Sequence, residues 1–403
     1  MSLIGTLQGW LAQRAADSTT KKLTAQRRLK LVELAETSGS IRVAGWPAGG
    51  ASMIVAVDPT FDGIEIRGKG IGKTILNENS WDDLVVGIGR FAGTVKLSHM
   101  TVIGGLQKVA AIAAGGENKL RNLVPTFRLE LDHVHGKAGT PGADGKRSFQ
   151  GLSGYNVDVL AIDCVFDYVD ANEHSSYLRG AAKYGWAFIR CKFIGSAAEG
   201  CKIRSDSIDT VYAGKDVWLI LSQCEFENWG GRGESWRGPG AGLVVQGGAC
   251  NVLVDRCVFR GGGALGQFQA NERSHCAMFS SEGASFDIDT GEEGVGFGNG
   301  WIIVRDSAFF GTSDVPWHND LLRVGRNGGS QFAAKGVLLK SNGMFGRGVI
   351  VSISDVPSGK VRITGCNTPE IAARCRELGI DTSVEAGVHF GGRQHPVSRG
   401  FAW

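Results

Sequence analysis

Lys202 and Arg204 alternate with Cys201 and Ile203 in the run Cys201-Lys202-Ile203-Arg204, and Asp206 and Asp209 follow close behind. Alternate residues of a strand face opposite sides, so the two cations are expected outside where Cys201 and Ile203 are inside. Runs of the same kind recur at Leu243-Val244-Val245-Gln246, Leu321-Leu322-Arg323-Val324 and Val349-Ile350-Val351-Ser352. They add Gln246 and Arg323 to the same expected surface, with Trp317, His318 and Asp320 just ahead of Arg323. Two polar stretches flank these runs. One carries Trp229, Arg232, Glu234, Trp236 and Arg237, and the other is an insertion at 260–300 rich in Asp, Glu, Arg and His.

Such residues suit an acidic polysaccharide, because Lys and Arg bind carboxylates while Trp faces stack on sugar rings. If the bond is broken by β-elimination, a basic side chain removes a proton beside a carboxylate whose charge other cations neutralise. Lys202, Arg204 and Arg323 are the candidates to divide those roles. Hydrolysis needs two carboxylates instead, about 5 Å apart for retention or roughly 6.5–9.5 Å apart for inversion. Asp206 with Asp209, or Glu234 with Asp320, are the pairs to test for such a role. Charges on an exposed strand also serve solubility alone, and the residues leave that alternative open.

Other tempting groups carry less. Gly68-Lys69-Gly70-Ile71-Gly72-Lys73-Thr74 lacks the first glycine of a phosphate-binding loop, since Arg67 stands there, and reads as a Gly-rich corner. His99, His133, His135 and His174 match no close metal-binding pair, so each is expected to be structural. Cys164, Cys191, Cys224 and Cys257 form a regular series, but a linear column cannot surround a tetrahedral ion, and Cβ atoms stacked at about 4.8 Å fit a disulfide poorly. They are expected to be small inward residues at a corner. Gly136 to Gly145 holds a few Gly-X-Y triplets, too few for a triple helix, and reads as an exposed loop. No cofactor and no metal is expected.

The elements that must position these residues are repeats. Two aliphatic residues two apart, a two-residue corner, a small residue and then an apolar one recur at Val159, Ala161, Cys164, Phe166; at Trp186, Phe188, Cys191, Phe193; at Leu219, Leu221, Cys224, Phe226; and at Val252, Val254, Cys257, Phe259. Weaker copies run forward through Ile302, Val337 and Val361 and back through Leu129, Val95 and Ile64. The period centres on about thirty residues, with one long insertion between Cys257 and Ser307, which marks a solenoid. Alternation with period two marks strands, and the odd step before the corner residue reverses the phase, as a chain rounding a corner would. The runs around residues 201, 243, 321 and 349 supply a third strand per coil. Three strands per coil with Gly-rich corners predict a parallel β-helix of about ten coils and about 50 Å.

These repeats, opening on Ile64-Glu65-Ile66-Arg67-Gly68, resemble the pectate-lyase-like right-handed parallel β-helix superfamily over about residues 40–370. The resemblance implies an all-β solenoid. It also implies a choice among polysaccharide lyases, hydrolases, epimerases, adhesins and phage tailspikes.

Residues 1–38 differ from the rest. Leu3, Leu7, Trp10 and Leu11, then Leu23, Leu29, Val32 and Leu34, have helix-like spacing, and two short helices are expected there. They would cap the open first coil or attach the chain to a larger particle. The expected division is a helical segment at 1–38, a β-helix at 39–368, and a C-terminal cap and tail at 369–403 whose Ile371, Cys375 and Leu378 suggest a short helix. The 61 glycines come with only 9 prolines and no sustained triplet period, which excludes collagen. A net charge of +3 predicts no general attraction to nucleic acid or anionic membrane. Nine cysteines without paired spacing suggest free thiols, and no secretory signal or membrane span is readable. Together with the resemblance, these features suggest a phage or prophage virion protein, made in the host cytoplasm and located on the tail or particle surface. It would be a homotrimer, would bind a bacterial surface polysaccharide and possess or lack depolymerase activity, and would contact other virion proteins through residues 1–38. The alternatives are a non-catalytic structural virion component and a bacterial polysaccharide lyase or glycoside hydrolase.

Overall fold

One residue in the left-handed backbone region turns each coil from its first strand to its second. These residues are His99, His133, Asp163, Arg190, Gln223, Arg256, Asp306 and Ser341, with φ between 51° and 56°, and Gly365, with φ 61°. Each directly precedes the inward corner residue of its repeat, as Asp163 precedes Cys164 and Gly365 precedes Cys366. Left-handed backbone costs a residue with a Cβ about 1 kcal/mol. Hydrogen bonds to the next coil offset this cost: Asp163 N donates to Ile189 O at 3.0 Å, Arg190 N to Ser222 O at 2.8 Å, and Gln223 N to Asp255 O at 2.8 Å. This corner is why the repeat reverses phase.

In the computed structural model, the described residues run from 3 to 390. They exclude 44–52, 78–84, 90–92, 105–109, 115–126, 139–149, 156, 168–173, 180–181, 197–198, 206–216, 230–239, 248–250, 263–273, 281–299, 312–321, 325–335, 347–348, 354–359 and 384–386. The strands form two parallel sheets, one of 19 strands that holds the first two strands of every coil and one of 12 that holds the third. The chain is therefore an all-β solenoid, a parallel β-helix. The register follows the repeat residue for residue: Ile64, Val95, Leu129, Val159, Trp186, Leu219, Val252, Ile302, Val337 and Val361 lie in one file.

The interior is built from such files. Phe166, Phe193, Phe226, Phe259 and Phe309 stack at centroid distances of 5.3, 4.7, 4.4 and 4.7 Å. The corner file of Cys164, Cys191, Cys224, Cys257, Ser307, Asn342 and Cys366 is buried throughout. Its thiols are free and donate to carbonyls, Cys191 Sγ to Ala161 O at 3.4 Å and Cys224 Sγ to Phe188 O at 3.3 Å. Where the file turns polar, Ser307 N donates to Asn342 Oδ1 at 3.0 Å, and Asn342 Nδ2 donates to Val304 O at 2.8 Å. Gly68 to Thr74 is the first-coil corner: Gly68 N donates to Ser98 O and Thr74 Oγ1 to Ala35 O.

The N-terminal segment differs from the expectation. A single helix, α1, runs over Leu3–Leu23, and the second expected helix is a strand, Leu29–Glu33, paired in parallel with Gly63–Arg67. The spacing of Leu29, Val32 and Leu34 was therefore a misleading helical signal, because strand pairing with the next coil decides it. Nor does α1 sit over the end of the solenoid. Ala12, Ala16 and Leu23 pack on the outer face of the first strands, against a stripe of Leu160, Ala187, Trp218, Ile220, Leu253 and Ile303. The signal for this was present: Val-Leu-Ala-Ile, Trp-Ala-Phe-Ile and Trp-Leu-Ile-Leu are unbroken apolar runs, as strands covered on both faces require. Trp10 and Leu11 remain exposed, with the Arg14 guanidinium 4.6 Å from the Trp10 ring centre.

A second helix, α2 (Pro369–Glu377), is capped by Thr368, whose side chain accepts from Ile371 N. Ile371, Ala372 and Cys375 pack on the outer face of the second strands at Val258, Ala308, Phe310 and Phe345. Among the described residues, no helix is long and apolar enough to cross a membrane.

Candidate functional site

The strands of the third face hold the register positions of Lys202, Arg204, Gln246 and Arg323. These strands include Gln150–Tyr155, His174–Arg179, Glu199–Ser205, Gly240–Gly247, Ser274–Ser280, Leu322–Val324 and Val349–Ile353. Leu152, Leu178, Cys201, Ile203, Leu243, Val245, Leu322 and Val324 are all buried. The positions alternating with them form two files. One holds Ser153, Tyr177, Lys202, Val244, Met278, Arg323 and Ser352. The other holds Tyr155, Arg179, Arg204, Gln246 and Ser280.

Lys202, Arg204 and Gln246 thus occupy neighbouring register positions. Arg323 shares the file of Lys202 but stands three coils further on, about 14 Å along the axis at the usual strand spacing. Arg179, Tyr155 and Tyr177 extend these files in the other direction. The sequence reading passed over them, although Tyr177-Leu178-Arg179 alternates just as Lys202-Ile203-Arg204 does one coil later.

Trp229 ends the strand Glu225–Trp229, whose neighbours are Ser196 and Gly262, and so belongs to the second face. Glu225 and Glu227 on that strand are engaged in ion pairs: Lys192 Nζ lies 3.0 Å from Glu225 Oε2, and Arg260 Nη1 lies 2.9 Å from Glu227 Oε1. Asp206, Asp209, Arg232, Glu234, Trp236, Arg237, Trp317, His318 and Asp320 lie outside the described residues.

A second cluster lies on the first coils, on the outer face and corner of the first strands. Glu65, Lys96 and Glu130 occupy one outward file, and Ser98 and Asp132 the next. Glu65 Oε1 accepts from Ser98 Oγ at 2.8 Å and from Arg67 Nε at 3.0 Å. Lys96 Nζ lies 2.8 Å from Asp132 Oδ2, and His133 Nδ1 lies 2.7 Å from Asp132 Oδ1. Burial pushes the Glu65 and Asp132 carboxyls up, but hydrogen bonds and the Lys96 charge outweigh it, so both stay below their ordinary range. For Glu130 burial wins over Arg128 and Lys96, and its carboxyl is raised. Arg128 Nη1 also donates to Lys22 O, at 3.2 Å, which ties the last turn of α1 to this cluster.

Two of the four histidines that matched no close pair in the sequence are neighbours here. His99 and His133 occupy the same corner of successive coils, and their rings stack at 5.1 Å with an interplanar angle of 27°. Each precedes a residue of the corner file, Met100 and Val134, so the repeat itself paired them. Among the described residues, His99, Asp132 and His133 are the group that could hold a metal ion, with ligand atoms within 4.8 Å of one another.

No protein-family model matches the chain, and no curated protein sequence matches it. Solved structures similar to it include two epimerase modules. The A-module of the Azotobacter vinelandii mannuronan C-5 epimerase AlgE4 is 12% identical, with a TM-score of 0.42 over 88% of this chain and 95% of that one. The A-module of the mannuronan C-5 epimerase AlgE6 from the same organism is 12% identical, with a TM-score of 0.36 over 88% of this chain and 93% of that one.

Proposed function

We propose that this β-helix binds an acidic polysaccharide along its third face, as the tailspike or tail-associated component of a phage or prophage particle. The observation that carries the binding reading is the third-face register, in which Arg179, Arg204 and Gln246 follow one another in one file with Tyr177 and Lys202 beside them. Cations repeated at the coil spacing match a chain of repeated carboxylates, and tyrosine is a residue type that stacks on sugar rings. Lys202 and Arg204 are the pair suited to proton abstraction and carboxylate neutralisation in an eliminating enzyme. Arg323, three coils away, is a binding position further along the same polymer.

The test is binding of the full chain to a panel of acidic and neutral bacterial polysaccharides. Light scattering on the same sample gives its mass, and assays for new reducing ends and for unsaturated products detect cleavage. A trimer that binds acidic polymers and weakens with salt supports the reading, and product release adds depolymerase activity. Equal binding to neutral and acidic polymers, or binding unchanged in K202A/R204A, would sink it.

A further inference from the structure

We propose that His99, Asp132 and His133 form a surface site for a borderline divalent transition ion of the Zn²⁺ class. Three independent features converge on it. The two imidazoles come from successive coils at positions whose backbone is held in the left-handed region, φ 55° and 53°, so their Cβ atoms are set by the corner rather than by a mobile loop. Asp132, on the same strand as His133, is half-buried and anchored: its Oδ2 is held by Lys96 and its Oδ1 faces His133 Nδ1. His133 is exposed and His99 is at least partly so, which leaves an entry path for an ion.

The donor set selects the ion. Two nitrogens and one carboxylate oxygen suit Zn²⁺, Ni²⁺ or Cu²⁺, whereas Ca²⁺ and Mg²⁺ call for shells of oxygen. Two ligands of one tetrahedral Zn²⁺ stand roughly 3.4 Å apart. The three ligand atoms already lie within 4.8 Å of one another. The 2.7 Å between Asp132 Oδ1 and His133 Nδ1 is a hydrogen-bond distance that has to open toward roughly 3.4 Å, an adjustment that the side-chain torsions of the imidazoles supply. Three protein donors leave the last position to water or to an outside ligand, as in open zinc sites. The neighbouring carboxylate of Asp163 is taken by Arg190 at 2.7 Å and is not a donor.

The experiment is calorimetric titration of the untagged, chelator-treated full chain with Zn²⁺, with Cu²⁺ paramagnetic resonance reporting nitrogen ligation. Asn tolerates left-handed backbone, so His99→Asn and His133→Asn remove the imidazoles without breaking the corner. The expected result is one Zn²⁺ per chain, a nitrogen-split Cu²⁺ spectrum, and loss of both in H99N/H133N. D132N should weaken binding about tenfold, and H174A should leave it unchanged. Absence of stoichiometric Zn²⁺ binding to the unaltered chain would overturn the proposal, as would binding that survives H99N/H133N.

Discussion

Arg190 Nε and Nη2 each lie 2.7 Å from one carboxylate oxygen of Asp163, a two-pronged ion pair between the corner residues of successive coils. It is the charged counterpart of the His99–His133 stack in the same file. Residues about thirty apart in the chain thus meet side by side, and the corner file decides which exposed groups cooperate.

The backbone at this corner, rather than the ion pair, sets its energetics. The pair is exposed, so Arg190→Ala is expected to cost under about 1 kcal/mol. Asp163→Asn should be nearly neutral, because Asn accepts left-handed backbone. Asp163→Val should cost about 1–2 kcal/mol more, because a β-branched side chain does not. Urea unfolding of the three variants separates the two contributions.

The phenylalanine file is a continuous ring stack through the interior. Phe226 stacks on Phe193 at 4.7 Å and on Phe259 at 4.4 Å and is fully buried. Phe226→Ala should therefore destabilise by about 3–5 kcal/mol, and Phe226→Leu by clearly less, as measured by thermal and urea unfolding.

The flank helix α1 covers an apolar stripe rather than an open end. Ala16 is fully buried against the solenoid, so Ala16→Glu places a charge where no partner waits. The expected outcome is undocking of α1 with the coils intact. It would be read as rapid amide exchange across residues 10–23, with new dye binding at the exposed stripe of Leu160, Ile220 and Leu253.

Acid should attack the first coils through Glu65 and Asp132. Both carboxyls are lowered from ordinary values of 4.5 and 3.8, so the folded state binds fewer protons than the unfolded one in that range. Their contribution is fully present above those ordinary values and is lost as pH falls through the lowered folded ones. Glu130, raised by burial, works in the opposite sense and gains on protonation. Glu65→Gln should flatten the acid limb of the stability–pH curve, and Glu130→Gln should steepen it.

The repeat was legible because its inward residues are few in kind and close in register. The aliphatic pair, the corner thiol and the phenylalanine each have one allowed place in a coil. The third strands at residues 201, 243, 321 and 349 followed from the same alternation. What the sequence hid was lateral. Helical spacing at Leu29, Val32 and Leu34 could not reveal that the strand Gly63–Arg67 would claim that segment. His99 and His133 looked isolated until the thirty-residue step was applied to the residue before the corner slot as well as to the slot itself. On the third face, alternation singled out Lys202 and Arg204 and offered the same signal at Tyr177-Leu178-Arg179, which was passed over. The register sets Arg179 beside Arg204 and Arg323 three coils away.

Binding of a uronate-bearing polysaccharide by the full chain, compared with its K202A/R204A variant at low and moderate salt, tests the central claim most directly. The account predicts saturable binding that weakens as salt rises and falls at least about tenfold in the variant, the equivalent of about 1.4 kcal/mol. Binding of equal strength in both proteins, or none in either, would contradict it.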